Sequence, residues 1–498
     1  MQSPESPRPL KVALVASEAV PFAKTGGLAD VTSALARSLH KSGHDVRLMI
    51  PLYGKLRDGA LEFGEVPGLT DLPMRFGAKQ LSWSVRGAVL PNSERADGTP
   101  LEVAFLDCPE LFERQEFYTQ DADEPLRWAT LCRAAIESCQ RMGWAPDVFH
   151  CNDWHTGLLP LYLRHWYDWD TLFEGTRTLL SIHNLGYRGD FGPQIVEQLD
   201  LAEGRHLFHQ EHLEDGRISL LETGILHSHW LSTVSETYAR EIQTEEHGMG
   251  LDELLRARED HLVGIVNGID PDEWSPETDP HLTSHYGAAD PSGKAEAKRW
   301  LQEHFNLKVD AGALTIGIVS RMTGQKGFEL LPDVLPVVLE SADVRLVVLG
   351  SGEERYERYF QWLRDTYPDR VGFYSGYSEP LAHQIEAGAD LFLMPSRYEP
   401  CGLNQMYSLA YGTVPLVRAT GGLTDTVELW DPEARTGNGF KFWEFESDAL
   451  LATLRHALDV WSRPDDWRRL MANGMAVDNS WSARADRYVE LYNRMLAE

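Results

Sequence analysis

LFLMPSRYEPCGLNQMYSLAY, residues 391–411, reads as a strand, a turn and a helix in immediate succession. Leu391 to Pro395 is a short apolar run of the kind that forms a strand buried on both faces of a parallel sheet. Asn404 to Tyr411 has helical character. The intervening turn runs from Ser396 to Leu403 and contains Arg397, Tyr398, Glu399, Pro400, Cys401 and Gly402. Glu399 thus stands at a strand end, just before a helix N-terminus. In open α/β sheets, ligands collect outside the carboxyl ends of the strands. A solvated Glu in an ordinary turn would read the same, so the neighbouring segments must decide.

Working outward, strands are expected at Thr315–Val319, Val344–Leu349, Val371–Tyr374 and Val414–Val417, with helical segments between them. The N-terminal half repeats the pattern. KVALVASEA (11–19) is a buried-strand run, a helix pattern follows from Leu28 to Ser42 with Gly43 at C′, and a strand follows at Asp45–Pro51. Further strands are expected at Leu101–Leu106, Asp147–His150, Thr178–His183, Trp230–Val234 and Leu262–Val266. Helices are expected at Leu126–Met142 and His155–Trp166. Alternating strands and helices predict two doubly wound α/β domains in series. Residues 54–100 read as a hairpin or loop insertion, and 267–293, with four prolines, as a linker. The last helix, from Trp481, places Trp481, Ala485, Tyr488, Tyr492 and Met495 on one face and needs a surface from either domain.

The 498 residues suit two large domains, and an apolar content of 43% supports a sizeable core. No apolar run is long enough to span a bilayer. Met1 to Pro9 lacks the apolar region of a signal peptide, which predicts a cytoplasmic protein. Five scattered Cys without a C-x-x-C argue against a disulfide framework or a structural zinc site. The formal net charge of −30 disfavours nucleic acid and anionic membranes as partners. An anionic ligand would need a local basic pocket.

Two stretches could supply one. KTGGLAD (24–30) lies between the first strand and its helix. Its glycines permit close backbone approach, the helix N-terminus favours an anion, and Lys24 adds charge. It is neither a Walker A sequence nor G-x-G-x-x-G; a tight βα turn is the alternative. SRMTGQKG (320–327) holds the equivalent position in the second half, with Arg321 and Lys326 flanking a glycine turn. Two cations at a strand end of so acidic a chain suit a diphosphate. Asn152, Asp153 and His155, and His183 with Asn184, follow strands of the first half and lack metal-ligand spacing. Asp121-Ala122-Asp123 has the form of a metal-binding D-x-D but precedes a helix, where acidic residues favour the N-terminus.

Taken together these motifs resemble those of the bacterial glycogen synthases and plant starch synthases. The matching stretches are KTGGLAD, HCNDWH (150–155), SIHNLGYRG (181–189), VNGID (266–270), SRMTGQKG, GSGEE (350–354), SRYEPCGLNQ (396–405) and GTVPLVRATGGLTDTV (412–427). The resemblance runs through essentially the whole chain. It implies a retaining glycosyltransferase of the GT-B type, with two Rossmann-like domains facing a cleft. The implied division is an acceptor-side domain over 1–265, a nucleotide-sugar domain over 266–478 and a helix over 479–498 returning to the first. It implies transfer of glucose from ADP-glucose to the nonreducing 4-hydroxyl of an α-1,4-glucan such as glycogen, with no metal and no cofactor.

Carried over residue by residue, Lys24, Gly26 and Gly27 would approach the donor, supported by Asp30. Arg321 and Lys326 would neutralise the leaving diphosphate, and Tyr377 would lie by the adenine. His183 and Asn267 would hold glucose hydroxyls. Glu399, Cys401, Gly402 and Leu403 would line the sugar, and Asp153 would sit on the acceptor side of C1. Many retaining GT-B enzymes carry a second Glu eight residues after the first. Here that position is Tyr407, as in glycogen and starch synthases. Glu236 replaces a common Pro, and Asp190 and Phe191 depart from the family pattern. A catalytically silent glucan-binding protein on the same fold, or a related transferase using UDP-glucose, are the competing readings.

Overall fold

A computed structural model describes residues 8–498 apart from 58 and 60. The signal-peptide reading of Met1–Pro9 falls, for residues 1–7, outside the described residues. The chain forms two compact units. The first comprises Met1–Val234, Ala239–Ile265 and Arg484–Glu498, and the second Ser235–Tyr238 and Val266–Ala483.

Among the described residues, ten strands build the sheet of the first unit. Its parallel part runs, in spatial order, Leu262–Gly264, Trp230–Thr233, Arg177–Ile182, Val148–Asn152, Lys11–Val15, Asp45–Pro51 and Glu102–Asp107. Val12 pairs with Val46 on one side and Val148 on the other. Val12 to Val15 are fully buried, as a strand covered on both faces requires. This strand ends at Val15 and not at Ala19, because Ser17 and Glu18 leave the ladder to make side-chain contacts. The helix Gly27–Lys41 closes at Gly43, with φ +94°. Gly43 N donates to His40 O and His44 N to Leu39 O, a Schellman pairing. The segment 54–100 is more than a loop insertion. Lys79–Val89 pairs antiparallel with Glu102–Asp107 and extends the sheet.

The second unit has a six-stranded parallel sheet in the order Val371–Ser375, Val344–Gly350, Leu314–Val319, Leu391–Met394, Val414–Arg418 and Phe440–Phe442. The last strand is not foreseen from the sequence, since three residues give too short a pattern. Two apolar clusters cover the two faces. One includes Leu346, Val348, Leu393 and Phe440, the other Val347, Leu349, Phe392 and Val417. Alternate residues of each strand thus point to opposite clusters.

Residues 267–293 are not a linker. Trp274, Asp279, Leu282 and Tyr286 are buried in the second unit. Asp279 accepts a hydrogen bond of 2.5 Å from the Tyr411 hydroxyl and lies 2.7 Å from His383 Nδ1. The prolines mark real turns, but aromatic anchors between them bind the segment down. The helix Trp481–Ala497 buries the expected face, and Tyr492 of the first unit sets its hydroxyl 2.8 Å from His150 Nδ1. Among the described residues no helix is long and apolar enough to cross a membrane.

Candidate active site

In a doubly wound sheet, the crevice lies where consecutive connections depart in opposite directions. In the second unit that point falls between Leu314–Val319 and Leu391–Met394. Connections run 314 to 344 to 371 on one side and 391 to 414 to 440 on the other. The loops leaving these two strands carry Lys326 and Glu399. Lys326 Nζ donates to Glu399 Oε2 at 2.6 Å, and Ser396 Oγ donates to the same oxygen at 3.0 Å. Glu399 is 5% exposed. A buried carboxylate is tolerated only when paired and hydrogen-bonded, and these two donors supply that.

The backbone clasps the same loops. Arg397 N donates to Gln325 O at 2.8 Å. Gly327 has φ +71°, and a Cβ there would fall 1.9 Å from Pro395 O. Gly422 N donates to Glu399 O at 3.2 Å. Gly421 has φ +45°, and a Cβ there would fall 1.9 Å from that same carbonyl. The glycine pair of the GTVPLVRATGGLTDTV stretch therefore fits directly under Glu399.

Arg321 is exposed on the same loop as Lys326. That loop is held by Met322 N to Ser351 O at 2.8 Å and by Gly324 N to Glu353 Oε1 at 2.8 Å. Tyr377 is 69% exposed just after the strand Val371–Ser375, beside Gly376, whose N–H reaches Gly350 O. Cys401 is buried, and Gly402 and Leu403 lead into the helix Asn404–Ala410. Gln405 Nε2 donates to Gly402 O at 2.9 Å. Asn267 is buried, and its Oδ1 has no hydrogen-bond partner. Tyr407 stacks on Trp274 at 3.7 Å, and Trp274 stacks on His383 at 3.7 Å. Tyr407 is thus one leaf of an aromatic sandwich.

In the first unit the connections diverge between Lys11–Val15 and Val148–Asn152. The loops after these strands meet through Ser17 Oγ, 3.2 Å from His155 Nδ1. Buried Glu18 accepts from Thr25 N at 2.5 Å, from Thr25 Oγ1 at 2.6 Å and from the Tyr118 hydroxyl. It thereby fixes the KTGG loop, a role the sequence does not announce. Lys24 Nζ lies 2.8 Å from Asp30 Oδ1, in line with the support expected of Asp30. A Cβ on Gly26 would meet no atom within 4 Å, so space lies open before the helix Gly27–Lys41.

Asp153 has φ +56° and ψ −174°, a region that side-chain-bearing residues seldom occupy. Such backbone persists only where the surroundings impose it, and it clusters at functional positions. His183 N donates to Asp153 Oδ1 at 2.7 Å. Burial raises the Asp153 carboxyl to about 7 against that hydrogen bond and one from Asn184. His183 Nε2 lies 2.9 Å from Asn152 Oδ1, and burial lowers its ring to about 4, so the imidazole is neutral at pH 7. It can orient a hydroxyl but brings no charge.

Three other sequence features lie outside these clusters. Asp121 and Asp123 both pair with Arg114, at 2.7 and 2.6 Å. Asp190 pairs with Arg188 at 2.8 Å, and Asp190–Phe191 forms a short antiparallel pair with Ile218–Ser219. Glu236 opens the helix Glu236–Glu241, where an acidic residue suits the positive end.

Two doubly wound units, each with polar loops at its switch point, form the architecture of the GT-B-type glycosyltransferases, and sequence relatives supply the activity. A family model described as the starch synthase catalytic domain matches residues 11–257, and one described as glycosyl transferases group 1 matches residues 301–470. Glycogen synthase 1 of Geobacter sulfurreducens is 43% identical over 492 residues, covering 98% of this chain and 96% of its own. Glycogen synthase of Myxococcus xanthus is 44% identical over 494 residues, covering 98% and 100%. Among solved structures, the catalytic domain of starch synthase IV from Arabidopsis thaliana, bound to ADP and acarbose, superposes with a TM-score of 0.89. It shares 30% identity, with 99% of this chain and 100% of that one covered. A sucrose-phosphate synthase from Thermosynechococcus elongatus matches in fold alone, at a TM-score of 0.59 and 17% identity. The chain belongs to the glycogen synthase and starch synthase family.

Proposed function

We propose that this chain is a glycogen synthase that transfers glucose from ADP-glucose to the nonreducing-end 4-hydroxyl of an α-1,4-glucan, with retained anomeric configuration. The observation that carries the reading is the buried Lys326–Glu399 pair at the switch point of the second sheet. Family membership supports the choice of substrates. The nucleotide sugar is assigned to residues 266–478 and the acceptor to residues 1–265, with the helix 479–498 returning to the acceptor-side residues.

Transfer breaks the bond between C1 and the diphosphate oxygen, whose electron pair stays on ADP. A bond forms between C1 and the acceptor O4, and the O4 proton leaves to a base. Negative charge grows on the diphosphate and positive charge on the sugar ring. Lys326 and Arg321 are assigned to the first, and such preorganised donors act most strongly in the transition state. Glu399, with Cys401, Gly402 and Leu403, is assigned to the sugar, where a carboxylate orients hydroxyls and offsets ring charge. Tyr377, exposed beyond its strand, is assigned to the adenine face, and Asn267, with its orphaned Oδ1, to a glucose hydroxyl. In the first unit Lys24, Gly26 and Gly27 are assigned to the donor, His183 to a sugar hydroxyl and Asp153 to the acceptor side. These roles require no metal ion and no cofactor.

The five cysteines are free and buried, which supports a reducing compartment, the cytoplasm. The charge of −30 supports a carbohydrate partner over nucleic acid. The test is incubation with ADP-glucose and glycogen, following ADP release and chain elongation, with UDP-glucose in parallel. Transfer from ADP-glucose is expected. Glucan binding without transfer would replace the reading with a silent binding protein.

A further inference from the structure

Between the strands Arg177–Ile182 and Trp230–Thr233 of the first unit, the chain makes a long excursion that includes the helices Gln210–Glu214 and Leu220–His227. His209 caps the short helix Gln210–Glu214, and His212 lies within it, three residues on and on the same face. Glu222 lies in the first turn of the helix Leu220–His227. Ser219 Oγ caps that helix by accepting from Glu222 N at 3.2 Å. In a Ser-x-x-Glu capping box the Glu side chain would fold back onto the cap N–H. Here it turns to the imidazoles instead.

Glu222 Oε1 lies 2.7 Å from His212 Nδ1 and 4.0 Å from His209 Nδ1. The two rings lie 4.4 Å apart. All three atoms are sealed from solvent, and none has a hydrogen-bond partner. The 2.7 Å approach therefore lacks hydrogen-bond alignment. The Glu222 side chain is 4% exposed. A buried carboxylate oxygen without a donor is costly, and so is a buried ring nitrogen. Each imidazole could carry its own Nδ1 proton, but neither nitrogen is placed to donate it to Oε1. A single cation could satisfy all three atoms, which lie within 4.8 Å of one another.

The donor set narrows the cation. Two imidazoles and one carboxylate suit zinc and its neighbours, while calcium and magnesium favour oxygen alone. For bonds of about 2.0–2.1 Å, two ligands of a tetrahedral ion lie about 3.4 Å apart. The separations of 2.7 and 4.0 Å fall on either side of that value. We propose that His209 Nδ1, His212 Nδ1 and Glu222 Oε1 form a three-ligand site for a divalent transition cation of the zinc class, with water completing its shell.

The site ties the His209–Glu214 segment to the helix Leu220–His227. The start of that helix is held in turn by Leu220 N to Gly189 O at 3.0 Å and Leu221 N to Arg188 O at 3.0 Å. It also lies close against the turn after Asp153, since a Cβ on Gly157 would fall 2.0 Å from Leu220 O. The cation is thus a clamp on the excursion that backs this turn and takes no part in bond breaking.

The test uses the full chain, stripped with a chelator and titrated with Zn2+ by calorimetry and with Co2+ by visible absorption. One tight equivalent per chain is expected, with a tetrahedral-type Co2+ band and a Zn2+-dependent rise in Tm. Glu222→Gln and His212→Ala should each weaken binding by at least about 10-fold and abolish the Tm response. Should Glu222→Gln fail to fold by circular dichroism, His209→Asn serves in its place, since that side chain is 31% exposed. No binding by the wild-type chain, or equal affinity in the variants, would overturn the site.

Discussion

Replacing Asp153 with Asn should make the protein more stable at neutral and alkaline pH, and the gain follows from where the carboxyl sits. Asp153 is 7% exposed, and burial raises its pKa from 3.8 to about 7. A carboxyl harder to ionise in the folded chain binds its proton more tightly there than in the unfolded chain. Stability is then fully present below the unfolded pKa and declines as pH rises from about 4 towards 7. A shift of about 3 units at about 1.36 kcal/mol per unit gives a loss of about 4 kcal/mol by pH 8. The amide introduced by Asp153→Asn would keep the size and the acceptor oxygen for His183 N but could not ionise. Guanidinium denaturation of both proteins at about pH 5 and pH 8 measures the effect. The Asp153→Asn advantage should be about 2 kcal/mol at the lower pH and about 4 kcal/mol at the higher. Parallel stability profiles would show that Asp153 titrates as an ordinary carboxyl, and the argument from burial would fail.

Lys326→Ala and Glu399→Ala should each lower turnover by on the order of 10²–10³-fold, the usual consequence of removing one preorganised charge. Lys326→Ala should also lower stability by about 1–3 kcal/mol, because it leaves a buried carboxylate with Ser396 as its remaining side-chain donor. Steady-state kinetics with thermal melts check both, and near-normal glucan synthesis by either variant would sink the site assignment. Gly421→Ala should cost about 1–3 kcal/mol from its backbone alone, at φ +45°. The added Cβ would also push on Glu399 O, so turnover should drop with stability; a variant with unchanged melting and kinetics would contradict the close approach. Trp274→Ala should destabilise the second unit by about 3–5 kcal/mol, since it removes the middle of the Tyr407–Trp274–His383 stack. A loss under about 1 kcal/mol on denaturant titration would mean the 267–293 segment contributes little.

Most of the sheet framework is legible in the sequence because parallel strands bury both faces and so appear as unbroken apolar runs. Leu391–Met394 and Val344–Gly350 are of this kind. Phe440–Phe442 escapes because three residues carry no period. KVALVASEA reads as one strand to Ala19, yet the ladder stops at Val15, and Ser17 and Glu18 become the groups that fix the loops beside them. Position 407 is legible as Tyr, but its stacking partner Trp274 comes from a segment whose prolines suggest a linker. Lys326 and Glu399 are legible as residue types at strand ends. That they pair across the point where the sheet reverses follows only from strand order. Asp153 likewise stands out as a strand-end carboxylate, but its positive φ is seen only in the folded backbone, and its raised pKa arises from burial. The His209-x-x-His212 spacing is present in the sequence, and Glu222 joins it only because the chain turns back between two helices.

The most direct test of the central claim is a donor competition assay with purified protein, ADP-glucose against UDP-glucose, with glycogen as acceptor. Release of ADP should be matched by new α-1,4-linked glucose at nonreducing ends, faster than with UDP-glucose and strongly reduced in Lys326→Ala. Absence of transfer from ADP-glucose, or transfer undiminished in that variant, would contradict that claim.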